Sequence, residues 1–180
     1  MLTSQEALSA LKEADAVGQR SRQAYSYSQG APHFFIWGIA WIVGYGASAL
    51  APAFANWVWL GVVILGTLAS IIAGGRRQSR SVSTWQVFAL LGVIYAFSAG
   101  LFTLVWPING LQMAAYWPLL CAAIYAGIGL WLGIRYVIVG AVLAAAALGG
   151  YFFLRENFLL WMAFVGGGTL ILTGFWLRKA

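Results

Sequence analysis

Six apolar runs, each roughly 18 to 22 residues long, are separated by turns too short to form a domain of their own. They cover about 33–51, 57–74, 85–106, 111–132, 136–154 and 158–177. At about 1.5 Å per residue such runs match a hydrocarbon core of about 30 Å. They show no period of two, and backbone polar groups in lipid must find their partners within the segment. The expected fold is therefore all-α and integral to the membrane, with six transmembrane helices. Composition agrees, because 62% of the residues are hydrophobic and only 8% are charged. A soluble domain normally carries about 25% charged residues.

The charges are few and their positions orient the chain. Lys12, Arg20 and Arg22 precede the first run, and Arg76, Arg77 and Arg80 separate the second from the third. Arg135 lies between the fourth and fifth, and Arg178 and Lys179 follow the sixth. Arg155, in the turn Arg155-Glu156-Asn157, stands alone on the opposite side. The positive-inside rule then places both termini in the cytoplasm of a multi-pass protein, in the inner membrane if the cell is bacterial. A net charge of +6 distributed in this way serves topology, not nucleic-acid binding.

Residues 1–30 form a separate polar segment, and residues 31–180 the membrane domain. Thr3 and Glu6 have capping-box spacing, which predicts a cytoplasmic N-terminal helix from about Ser4. Leu8, Leu11, Ala14 and Val17 recur every three residues and give that helix one weakly apolar face, which fits either a solvated or interface-lying helix preceding the membrane or a docking surface for a partner or neighbouring subunit. No early hydrophobic stretch resembles a secretory signal, so this segment is expected to stay on the side of synthesis.

The six runs group as three out-and-back hairpins, with Pro52, Pro107 and Arg155-Glu156-Asn157 at the outer turns. Small residues recur at spacing four: Ala40, Gly44 and Ser48; Gly66, Ser70 and Gly74; Gly92, Ala96 and Gly100. Helices in lipid gain nothing from mutual hydrophobic burial, so such faces predict close backbone packing and a tight bundle. This pattern resembles the HdeD family of small bacterial membrane proteins. Gly44, Pro52 and Gly66, then Gly100, Pro107 and Gly127, are the residues that carry the resemblance. It implies a six-helix protein associated with acid stress and brings no catalytic residue with it. The polar N-terminus and the third turn without proline depart from that pattern.

No ionisable residue falls near the middle of any run, which argues against a proton relay, a pump or an acid–base enzyme. His33 and Cys121 are too few to form a zinc site. Trp37, Trp41 and Tyr45 make an aromatic stripe beside His33, able to wall a flat apolar ligand such as a pigment or lipid. The reading that fits best is a non-catalytic accessory, scaffold or regulatory subunit of a larger membrane assembly, without a cofactor. Its partners would be the lipid bilayer and other membrane subunits, or further copies of itself. A homo-oligomeric channel for a small neutral solute and a pigment- or lipid-binding protein are the alternatives.

Overall fold

A computed structural model describes residues 4–75 and 84–179. It is all-helical, and among the described residues there is no strand. Arg76, Arg77, Arg80 and the side chain of Leu8 lie outside the described residues. The elements in order are α1 (Ser4–Leu50), α2 (Ala55–Gly75), α3 (Thr84–Leu104), α4 (Gly110–Leu132) and α5 (Ile134–Phe153). The last apolar run is α6 (Phe158–Trp161), a π turn (Met162–Gly166) and α7 (Gly167–Arg178). Five helical segments are long and apolar enough to cross a membrane: Leu11–Leu50, Pro52–Gly74, Gly110–Leu132, Ile134–Phe153 and Arg155–Arg178. The third apolar run of the sequence coincides with α3, whose described apolar stretch, Gly92–Leu104, is shorter.

Local chemistry sets most boundaries. Pro52 opens a 3-10 turn between α1 and α2, where its missing N–H costs nothing. Asn109 caps α4 through a full capping box. Its Oδ1 accepts the Gln112 N–H at 2.8 Å, and Gln112 Oε1 accepts the Asn109 N–H at 3.0 Å. Gly133, at φ 126°, turns the chain from α4 into α5 in the left-handed region that side chains avoid.

α1 has no break at the boundary expected near residue 30. It is one helix of 47 residues with Pro32 in its interior, about 70 Å long and more than twice the hydrocarbon thickness. Proline there removes one intrahelical hydrogen bond and the helix runs on. Residues 11–25 are exposed apart from half-buried Gly18. Packing begins at Tyr27, followed by buried Ala31 and Phe34.

The closest backbone approaches join α1 to the last helix and α4 to α5. Gly38 and Gly167 bring α1 and α7 together: a Cβ on Gly38 would stand 2.6 Å from Ile171, and one on Gly167 would stand 2.9 Å from the Gly38 carbonyl. Gly140 does the same for α5 against α4, where a Cβ would meet the Ala122 carbonyl at 2.5 Å. The core is built from α1, α4, α5 and the last helix, with Phe34, Leu143, Phe158, Met162 and Leu170 almost fully buried. α3 joins through side chains. Ser98 Oγ and the Tyr116 hydroxyl of α4 lie 2.7 Å apart, and the Phe102 and Tyr116 rings meet at 4.8 Å.

Candidate functional site: an arginine clamp under a projecting helix

The glycine turn at Gly133 positions Arg135 and Tyr136 against α1. A Cβ at Gly133 would collide with the Tyr27 hydroxyl, so the turn and that phenol fit only because residue 133 has no side chain. The Arg135 N–H points to the Tyr27 hydroxyl at 3.5 Å, and the Tyr136 hydroxyl donates to the Ser26 carbonyl at 3.1 Å. The Tyr27 and Tyr136 rings lie 5.6 Å apart, and Phe34 meets Tyr136 at 5.9 Å.

Arg135 also reaches α7. Its Nη1 donates to the Trp176 carbonyl at 2.7 Å, and its guanidinium lies 5.2 Å from the Tyr27 ring and 5.0 Å from the Trp176 ring. The last carbonyls of a helix lack intrahelical donors and carry partial negative charge, so a cation there is favourable. Thus one side chain joins the base of the projection, the α4–α5 turn and the end of α7. Arg135, expected only to set topology, is a structural fastener as well. Arg178 and Lys179 are exposed at the end of α7.

The docking face lies beyond this clamp. Leu11 and Val17 are 65% and 56% exposed, and Ala14 beside them is exposed too. Nothing in the described chain covers these side chains.

The aromatic stripe turns inward over most of its length. Trp41 is buried beside Gly166 of the π turn, and Tyr45 is buried with its hydroxyl donating to the Ala114 carbonyl at 2.8 Å. Their rings meet each other at 5.8 Å, and Tyr45 meets Trp59 at 5.2 Å. Only Trp37, half-buried, and His33, exposed, retain accessible edges, with ring centroids 5.9 Å apart. The Trp37 indole N–H and the Ser70 hydroxyl are buried without a partner among the described residues.

The small-residue faces divide sharply. Ala40 is buried, and Gly44 receives the Trp59 ring, 2.6 Å from where a Cβ would stand. Ser48 Oγ accepts the Trp59 Nε1–H at 3.0 Å. Gly66 is buried against Ile36 and Trp37, 3.8 Å from a hypothetical Cβ. By contrast Gly74, Gly92 and Gly100 face open space among the described residues, and Ala96 is exposed. Of the glycines that bring backbones closest, Gly38 falls outside the Ala40, Gly44 and Ser48 series of its own helix, and Gly140 and Gly167 lie on helices that carry none of the three series.

Mid-span hydroxyls bond to their own helices. Ser48 donates to Gly44, Ser98 to Ile94 and Thr173 to Thr169, at 2.8, 2.7 and 2.7 Å. Among the described residues no group of three or more His, Cys, Asp or Glu is placed to hold a metal ion. The fold therefore defines a helical chain, with five segments long and apolar enough to cross a membrane and a first helix fastened at its entry to the bundle. Comparison with known protein families, curated proteins and solved structures finds no match.

Proposed function

We propose that this chain is a non-catalytic, six-span accessory or scaffold subunit of a larger membrane assembly, with both termini and the projecting helix in the cytoplasm. α3, at 21 residues and about 31 Å, supplies the sixth span. The observation that carries the reading is the continuity of α1. A helix packed along one face from Tyr27 onward extends without interruption into a stretch whose apolar face, Leu11, Ala14 and Val17, is exposed and meets nothing among the described residues. An amphipathic helix with a free apolar face is a common element of groove recognition. The arginine clamp supports the same reading, because it fixes the angle at which that helix leaves the bundle. The bonding of the hydroxyls to their own helices does not favour a solute path.

Native-size separation of gently solubilised membranes, with mass spectrometry of co-migrating proteins, tests the proposal. The wild-type chain is expected to travel with a distinct partner. The double variant Leu11→Asp, Val17→Asp is expected to lose that partner while keeping its own helical content. A wild-type chain that runs alone, or as a small homo-oligomer, overturns the accessory reading.

A further inference from the structure

At the end of the bundle away from the clamp, α3 stands off α4 and α5 and leaves a cavity of about 360 Å³. Leu101 and Phe102 of α3, Tyr116 and Leu119 of α4, and Leu148 and Tyr151 of α5 line it. Val105 and Phe152 in its lining are 51% and 67% exposed, so the cavity is open to its surroundings, which for a membrane helix include hydrocarbon. A void there would forfeit dispersion contacts along its whole lining, and an acyl chain is the filler at hand.

A charged group stands at the same end. The Arg155 guanidinium lies 5.5 Å from the centre of the Tyr151 ring, and Tyr151 lines the cavity. Cation–π contact orients this guanidinium over the cavity wall. On its side of the membrane the positive-inside count gives Arg155 no other basic residue for company, so topology does not explain a cation there. Arginine is suited to phosphate because its fork presents paired donors.

We infer that the cavity between α3, α4 and α5 holds one acyl chain of an anionic phospholipid whose phosphate rests on Arg155. The lipid fills the space that the α3–α4 side-chain contacts leave open, and its headgroup fixes the depth of the α5–α6 turn. The adjoining Glu156 carboxylate offsets part of the attraction, so the headgroup preference is modest. This inference does not depend on the accessory-subunit reading.

The full-length protein in mixed micelles is exposed to equal amounts of phosphatidylglycerol and phosphatidylcholine with identical dioleoyl chains, and retained lipid is counted by native mass spectrometry. The wild type is expected to retain phosphatidylglycerol about fivefold over phosphatidylcholine. Arg155→Gln is expected to remove that preference without reducing total retention. Leu148→Trp, which fills the cavity from its lipid side, is expected to reduce retention of both. Equal retention by the wild type overturns the inference, as does an undiminished preference in Arg155→Gln. A second measurement needs no variant: phosphatidylglycerol with a photoreactive acyl chain should label peptides spanning residues 101–119 and 148–152. Labelling spread evenly over the other helices overturns the acyl-chain site.

Discussion

The Arg135 guanidinium donates a 2.7 Å hydrogen bond to the Trp176 carbonyl while lying 5.0 Å from the Trp176 ring, so one residue receives the cation twice. The carbonyl belongs to the last turn of α7, where acceptors are in surplus, and the ring adds a quadrupole attraction. Arg135→Gln is therefore expected to destabilise the protein by about 1 to 2 kcal/mol, from a helix-terminal charge and the cation–π contacts together. Arg135→Lys should recover the smaller, charge-only part, since lysine lacks the planar fork. Equilibrium unfolding in mixed micelles measures both, and an Arg135→Gln protein as stable as wild type would remove the clamp from the stability argument.

Gly133→Ala combines an unfavourable φ with a collision against the Tyr27 hydroxyl. The expected cost is about 2 kcal/mol or more. Tyr27→Phe alone should cost less, and the double variant should be better than the sum of the two, because phenylalanine removes the nearest of the colliding atoms. A double-mutant cycle reads this coupling directly. Strict additivity would show that the collision is relieved some other way.

Gly38→Val and Gly167→Val place side chains where the α1 and α7 backbones touch, and each should lower the thermal midpoint in detergent by several degrees. Gly100→Ala is the matched control, with open space where its methyl would go. Its midpoint should be unchanged or slightly raised, alanine being the better helix former. A large loss from Gly100→Ala would reveal a neighbour for α3 that the isolated chain does not contain.

Ser70→Ala removes a buried hydroxyl that has no partner among the described residues. Deleting such a group should leave stability unchanged or raise it by up to about 1 kcal/mol. A clear loss in the same unfolding experiment would mean that Ser70 makes a hydrogen bond in the membrane.

The sequence exposed those features that depend on long, repeated signals. Runs of 18 or more apolar residues mark helices of membrane length because length and hydropathy suffice, whereas the capping-box pair, Thr3 and the side chain of Glu6, lies outside the described residues. The continuity of α1 through Pro32 was not legible, since a polar-to-apolar change in composition looks the same whether the helix stops or passes through. Small residues at spacing four marked faces able to pack, and Gly44 and Gly66 pack while Gly92 and Gly100 meet nothing among the described residues. Which faces are used depends on the partner helix, and a single chain does not encode that locally. The clamp was hidden for a related reason. Tyr27, Arg135 and Trp176 are each ordinary at a membrane boundary, and only the fold brings three distant segments together.

Because α1 is one uninterrupted helix, the position of its tip is a matter of phase. Each residue inserted between Gln23 and Ala24 would turn Leu11 and Val17 by about 100° around the axis and raise them by about 1.5 Å. If the proposed docking face meets a partner, one added alanine would point it away while altering none of its residues. Seven would bring it back within about 20° of its first bearing, but about 10 Å farther from the membrane. A partner that grips this helix thus reads an angle and a height set at Tyr27. Its binding should rise and fall with the number of inserted residues, with the period of the helix itself.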